Sequence, residues 1–131
     1  MKKQIGIVNK KVIQLLDLKY TKELPIIIGE SNLAHMQKEH PKDFEKYGNN
    51  IEDIINNPTY VALNPNQNSI EYIKEYKIDD EFVLVAVRVT NNGTMFARTL
   101  FVMTERKKEK YLSKGYARKY WKITRYVIKY V

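Results

Sequence analysis

The chain contains no cysteine, so neither a disulfide bond nor a thiolate zinc site can form in it. This absence is typical of proteins that work in a reducing cytoplasm, which is the location that we expect. Long apolar runs are also missing, since no stretch approaches the ~18 apolar residues of a membrane-spanning helix. Asn9, Lys10 and Lys11 interrupt the apolar part that a secretory leader would need. We therefore expect no leader and no membrane partner.

Motifs that mark several large enzyme classes are absent as well. The sequence has no glycine-rich phosphate loop, no dinucleotide-binding fingerprint and no nucleophile elbow. The acidic cluster Asp79–Asp80–Glu81 could hold a divalent ion, but it precedes a predicted strand and is more typical of a solvated turn. No metal site and no cofactor are therefore predicted.

Composition and charge indicate one globular domain with an unusual C-terminal element. The 131 residues are 44% hydrophobic and 29% charged, which suits a single domain at 1–131 with a modest core. The net charge is +8, yet residues 1–104 hold 13 basic and 13 acidic residues, so the excess lies in residues 105–131. Six aromatic residues are interleaved with those charges.

This basic, aromatic element at 105–131 predicts a nucleic-acid-binding surface, because cations meet phosphates and rings stack on bases. Its candidate contacts are Lys119, Lys122 and Arg125. The same composition also suits a solvated amphipathic element, an anionic membrane surface or an acidic protein partner. If the element binds nucleic acid, affinity should fall steeply with salt. The salt dependence should flatten when Lys119, Lys122, Arg125 and Lys129 are replaced by glutamine.

Both histidines of the chain, His35 and His40, lie in the short stretch from Gly29 to Pro41. Histidine is the side chain whose unperturbed pKa lies nearest neutrality, so it is well suited to proton transfer. Leu33 and Met36 predict a helix here, capped by Ser31 or Asn32 and ended at Glu39 or His40 by the following proline. The histidines then lie about 140° apart around the helix, which disfavours a metal pair. The alternative is a solvated helix residue and a C-terminal helix cap.

Strands and helices can be placed from periodicity and turn signals. Residues 5–16 suit either a strand or a short helix, and 25–28 reads as a strand. Helical spacing follows Pro41 as far as Asn56 or Asn57, where Pro58 stops it. The later pattern predicts strands at 60–63, 70–76, 82–89 and 94–103, then a helix at 105–114.

A hairpin at Asn92–Gly93 decides which polar side chains share a face of the sheet. With a two-residue loop, Ala86 faces Thr99, and Arg88 shares the face of Thr99 while Arg98 lies on the other side. A loop longer by one residue instead places Arg98 on the face of Arg88. Because arginine is rarely buried unpaired, the face that carries arginine is predicted to be the open one.

The ordered series of these segments resembles a known family. The run GESNLAHMQKEHPKDFEKYGNNIEDIINNPTYVALNP, followed by NSIEYIKEY, FVLVAVRV and FARTLFV, resembles the phage-associated branch of the barnase–EndoU–colicin–RelE nuclease superfamily. The resemblance covers roughly residues 5–116. It implies an α+β, barnase-like fold in which N-terminal helices pack on a four- or five-stranded antiparallel sheet. Some members of the superfamily are toxins, so the host or target-cell cytoplasm is the expected location and an inhibitor (immunity) protein is a candidate partner.

The resemblance implies a metal-independent endoribonuclease that cleaves RNA by transesterification of the 2′-hydroxyl. That reaction needs a base, an acid and cations that hold the phosphorane charge. The resemblance favours His35 and His40 as base and acid, with Arg98 and Thr99 completing the catalytic set. The candidate substrate-binding residues in the sheet are Arg88, Ser69, Glu71 and Tyr72.

Each of these assignments has an alternative. Glu71 is a second candidate base, and both arginines could instead form surface salt bridges with Glu71 or Glu75. Thr99 could be an ordinary strand residue. The alternative function is a non-catalytic module of the same fold that binds nucleic acid or a protein partner.

Overall fold

A seven-stranded sheet forms the centre of the computed structural model, which describes residues 2–90 and 92–120. The elements follow one another as β1 (Lys2–Val8), α1 (Lys10–Leu15), β2 (Leu24–Gly29), α2 (Glu30–Glu39), α3 (Pro41–Tyr47), a 3-10 turn (Gly48–Asn50), α4 (Ile51–Asn56), β3 (Tyr60–Asn64), β4 (Ser69–Tyr76), β5 (Glu81–Val89), β6 (Met95–Val102), α5 (Glu105–Ser113) and β7 (Arg118–Lys119).

The strand order is β1-β2-β6-β5-β4-β3-β7, and the sheet is mixed. Strands β3 to β6 form an antiparallel meander, as sequential strands commonly do. Strand β2 pairs with β6 in parallel, with Ile26 opposite Met95. The predicted α+β class is confirmed, but the prediction of a purely antiparallel sheet with four or five strands is wrong.

The chain starts with a strand rather than a helix, which also differs from the predicted order. The ambiguous stretch 5–16 contains both structures, since β1 ends at Val8 and α1 begins at Lys10. Asn9 separates them because its side-chain Oδ1 accepts a 2.9 Å hydrogen bond from the Val12 N–H and so caps α1. Strand β1 then pairs with β2 antiparallel and extends the sheet beyond β6.

The two faces of the sheet carry different cores. The larger core packs helices α1 to α4 against one face and includes Ile26, Met36, Ile54 and Leu100. The opposite face carries a smaller cluster built on Ile73, Leu84 and Met103, against which Tyr111 of α5 packs. Because α5 covers only part of this second face, Arg98 is exposed beside it, and Arg88 and Thr99 are partly exposed.

Glycine is required at position 6, where β1 passes closely over α4. A Cβ added to Gly6 would lie 2.6 Å from Ile55 Cγ2 and 3.2 Å from Asn56 Oδ1. We expect Gly6→Ala to lower the free energy of unfolding by about 1–3 kcal/mol, the usual cost of overpacking a core. Urea denaturation measures this change. Adding Ile55→Ala removes the clashing methyl group, so the double variant should lose less stability than the two single losses combined. Full additivity would contradict the contact.

No helix within residues 2–90 and 92–120 is long and apolar enough to cross a membrane.

Candidate active site

A β-bulge in β6 places both Arg98 and Thr99 on the open face of the sheet. Ala86 pairs with Thr99, but the next residue, Val87, pairs with Ala97, so Arg98 is the extra residue between the two pairs. A bulge of this kind redirects side chains and is frequent beside active sites. Ala86 and Thr99 follow the register of the two-residue loop, whereas Val87 and Ala97 follow the register of the longer loop.

Two rows of side chains cross this face next to the bulge. Glu71 lies opposite Ala86, which lies opposite Thr99 in turn, and Ser69 lies opposite Arg88. Because directly paired residues share a face of the sheet, these side chains converge. They line a cleft of about 320 Å³ that is bounded by His35, Glu39, Asn64, Gln67, Ser69, Glu71, Ala86, Arg88, Arg98, Thr99, Phe101 and Lys107.

Helix α2 brings His35 to the rim of the cleft. The helix starts at Glu30 because the Gly29 N–H donates to Asn32 Oδ1 at 2.8 Å, so Asn32 acts inside the first turn while Gly29 is the cap residue. His35 is half-exposed, and its Nε2 lies 3.6 Å from Glu39 Oε1, one helical turn further on. His35 and Glu39 both line the cleft.

His40 lies beside the cleft and is not among the side chains that line it. Its backbone has φ −139° and ψ 70°, because Pro41 starts the next helix and disfavours the helical conformation before it. The ring packs on Phe101 with 5.4 Å between centroids. Phe101 in turn lines the cleft.

Glu71 is a carboxylate at the floor of the cleft, with only 4% of its surface exposed. The Tyr111 hydroxyl of α5 donates a 2.7 Å hydrogen bond to Glu71 Oε1. Burial, and then this bond to Glu71, raise the pKa of Tyr111 well above its usual value, so the phenol remains a donor. The second carboxylate oxygen of Glu71 has no protein donor within residues 2–90 and 92–120.

The two arginines of the cleft are not neutralised by carboxylates. Arg88 Nη2 donates to Gln67 Oε1 at 3.2 Å, while its buried Nε has no partner among the described residues. Neither Arg88 nor Arg98 forms an ion pair within the described part of the chain. The alternative of salt bridges to Glu71 or Glu75 is therefore not seen. Guanidinium donors facing an open cleft are suited to bind an anion.

Four other predicted substrate contacts lie away from the cleft or outside the described residues. Tyr72 is 1% exposed and points into the larger core, where burial raises the pKa of its hydroxyl. Lys119 lies in β7, paired with Tyr60 at the far edge of the sheet. Lys122 and Arg125 fall in residues 121–131, which lie outside the described residues.

Several cleft residues were not predicted from the sequence. Glu39 follows His35 by four positions, a helical spacing that could have indicated the contact. Gln67 and Lys107 lie in a turn and in α5, and no local pattern connects either residue with Arg88 or Glu71. They belong to the site only because the fold brings these segments together.

The acidic cluster predicted as a solvated turn is held by neighbouring side chains. Glu81 Oε1 accepts hydrogen bonds from Lys46 Nζ at 2.7 Å and from the Tyr47 hydroxyl at 2.6 Å. These two hydrogen bonds lower the pKa of Glu81, and the bond from Lys46 has the larger effect. Burial raises the pKa of Tyr47 to about 12. Within the described ranges, no group of three histidine or acidic side chains is arranged to hold a metal ion.

A cleft that combines a histidine, a buried carboxylate and two guanidiniums is the kind of site that acts on phosphate esters. The chain belongs to the phage-Barnase-EndoU-ColicinE5/D-RelE like nuclease 3 family, whose model matches residues 2–110. The resemblance to the barnase–EndoU–colicin–RelE nuclease superfamily is therefore confirmed. Nuclease is the class of activity that the family supports. No curated protein and no solved structure matches the chain.

Proposed function

We propose that this protein is a metal-independent endoribonuclease that cleaves RNA by attack of a 2′-hydroxyl on the adjacent phosphorus. One observation carries the proposal: His35, Glu71, Arg88 and Arg98 line one cleft. These residues supply two proton carriers and two cations, which are the groups that the reaction needs. Membership of a nuclease family makes nucleic acid the expected substrate.

Glu71 is proposed as the general base. Carboxylates are ordinarily ionised at neutral pH, and Tyr111 occupies only one of the two oxygens of Glu71. The other oxygen accepts the proton of the 2′-hydroxyl as the 2′-oxygen forms a bond to phosphorus. This assignment gives the base role to the residue that the sequence offered only as a second candidate.

His35 is proposed as the general acid. As the bond between phosphorus and the 5′-oxygen breaks, the protonated imidazole donates its proton to that oxygen. Glu39, whose Oε1 lies 3.6 Å from His35 Nε2, is proposed to orient the ring. The products are an RNA end with a 2′,3′-cyclic phosphate and a second end with a 5′-hydroxyl.

Arg88 and Arg98 are proposed to hold the phosphate. Their planar guanidiniums match the geometry of two phosphate oxygens, and they counter the negative charge that develops on the phosphorane. Thr99 lies in the same cleft and is proposed to supply a hydroxyl group for the ribose or the phosphate. Ser69 is fully buried, and its hydroxyl donates to the Gln67 carbonyl at 3.4 Å, so it would have to exchange this bond to contact the substrate. The cations replace the charge neutralisation that a metal ion would supply, so we propose that no metal or cofactor takes part.

His40 is proposed to act on the site through Phe101, on which its ring packs. In that role it keeps the Phe101 ring in place beside the cleft and does not transfer a proton.

The basic segment at 105–131, with Lys119, Lys122 and Arg125, is proposed to add affinity for RNA of any sequence. From its membership of the family, we also propose that the protein acts in the cytoplasm of a host or target cell. An inhibitor protein is proposed as its partner on the same ground.

Incubation of the protein with mixed RNA in excess EDTA tests the proposed function. We expect fragments that end in 2′,3′-cyclic phosphates, at a rate that EDTA does not change. Failure to cleave RNA that the protein binds tightly would instead support the alternative, a non-catalytic RNA-binding module. Cleavage that stops in EDTA would contradict metal independence.

A further inference from the structure

Helix α5 places a phenol directly on the carboxylate at the floor of the cleft. The Tyr111 hydroxyl and Glu71 Oε1 are 2.7 Å apart, and they are separated by 40 residues of sequence. Glu71 is 4% exposed, so little water reaches it to replace a lost donor. A buried carboxylate without its hydrogen bond is costly. The contact therefore satisfies a buried carboxylate and also packs α5 on the sheet.

Side-chain and backbone contacts with the sheet fix the position of α5. The Thr104 side chain caps the helix by accepting from the Lys107 N–H at 3.2 Å, and the preceding residue, Met103, donates its N–H to the Phe82 carbonyl at 2.8 Å. Lys107 lies 4.6 Å from the centre of the Phe101 ring. These contacts hold the helix over the smaller core and direct Tyr111 towards Glu71.

We propose that Tyr111 is a positioning residue that orients the Glu71 carboxylate as a base. This inference rests on the proposed function, because it assigns a partner to the proposed base. The hydrogen bond selects one oxygen of Glu71 and leaves the other for the 2′-hydroxyl. A hydrogen bond donated to the charged form of a carboxylate favours that form, so loss of the donor should alter the pH dependence of the reaction.

Other charged side chains line the cleft together with Glu71. The titratable and charged side chains that share the cleft with Glu71 are Arg88 from β5, Arg98 from β6, Lys107 from α5, and His35 and Glu39 from α2. All of them are retained when only the Tyr111 hydroxyl is removed. A change in the pH profile of the Tyr111→Phe variant can therefore be attributed to the loss of this hydrogen bond.

The test compares pH profiles of kcat/KM for RNA cleavage in the unmodified protein and in Tyr111→Phe. We expect the acid limb, which reports the base, to move to higher pH by on the order of one unit. Activity at a pH on that limb should then fall roughly tenfold. In a Glu71→Gln background, where position 71 carries no carboxylate, Tyr111→Phe should have little further effect on the rate. A shifted profile supports positioning, whereas a uniform loss at every pH would overturn it.

Tyr76→Phe is the matched control. Tyr76 lies on the same strand as Glu71 and donates a 3.2 Å hydrogen bond to Asp53 Oδ2, away from the cleft. Burial and Asp53 raise the pKa of Tyr76 to about 12. This variant should lose stability in urea denaturation while its acid limb stays unchanged. If both tyrosine variants move the limb equally, the specific role of Tyr111 is wrong.

The two failures can be distinguished. If the unmodified protein does not cleave RNA, the proposed function fails and Tyr111 has no base to position. If the unmodified protein cleaves RNA and the acid limb of a folded Tyr111→Phe variant does not move, only the inference on Tyr111 fails. Tyr111→Phe keeps the ring that packs on the smaller core, and thermal unfolding verifies its folding.

Discussion

Alanine in place of His35 should lower the rate of RNA cleavage by about 100-fold or more, which is the usual contribution of a general acid. His35 is half-exposed and contacts Glu39 at the rim of the cleft, so its removal should leave stability nearly unchanged. Initial rates on a short RNA, with thermal unfolding of the same samples, measure both effects. The alkaline limb of the pH profile should disappear, because that limb reports the acid.

His40→Ala is the matched control for this result. The sequence predicts similar losses for both histidines, but the ring of His40 packs on Phe101 outside the cleft. We therefore expect a loss well below that of His35→Ala, with the shape of the pH profile retained. Equal losses of activity in the two variants, with both limbs of the pH profile affected, would indicate that His40 also transfers a proton. That result would contradict the assignment of Glu71 as base.

The second large effect is expected at Arg98. In Arg98→Lys the charge remains but the planar fork is lost, so transition-state stabilisation should suffer more than ground-state binding. We expect kcat to fall by about 10²- to 10³-fold, as for the loss of one donor to a developing anion. The dissociation constant for RNA should change only slightly.

Arg98→Ala separates charge from geometry. This variant should lose cleavage as Arg98→Lys does, and it should also bind RNA more weakly at low salt because a phosphate contact is gone. Urea denaturation should show both variants near the stability of the unmodified protein, since Arg98 is exposed and has no ion pair within the described residues. Activity that falls only in proportion to stability would indicate a structural arginine instead.

The sequence predicts the central meander well because its strands are apolar and separated by strong turn signals. It cannot predict the bulge at Arg98, since alternation assumes that every residue changes face. Under that assumption Arg98 and Thr99 cannot share a face, and the two candidate registers are exclusive. The bulge removes the conflict by adding one residue between the Ala86 and Val87 pairs.

The same alternation could have excluded Tyr72 from the site. Glu71 and Tyr72 are neighbours in a regular strand, so their side chains must point to opposite faces. Glu71 lines the cleft and Tyr72 is buried in the larger core. Here the aromatic hydroxyl suggested function, whereas its position in the strand indicated packing.

Long-range contacts account for the rest of what the sequence does not show. The parallel pairing of β2 with β6 and the contact between Tyr111 and Glu71 join segments that are far apart in the chain. Local propensity carries no information on such contacts. The predicted strands and helices therefore fit the meander. The antiparallel pairing of β1 with β2 and the position of α5 on the sheet could not be predicted from the sequence.

One measurement tests the central claim most directly. The substrate is a DNA oligonucleotide with a single ribose, cleaved in EDTA and compared with the same oligonucleotide made entirely of DNA. If the 2′-hydroxyl is the nucleophile, the chain breaks only at the phosphate 3′ of the ribose and leaves a 2′,3′-cyclic phosphate. Cleavage of the all-DNA strand, or a 3′-hydroxyl product, would contradict transesterification in the Glu71–His35 cleft.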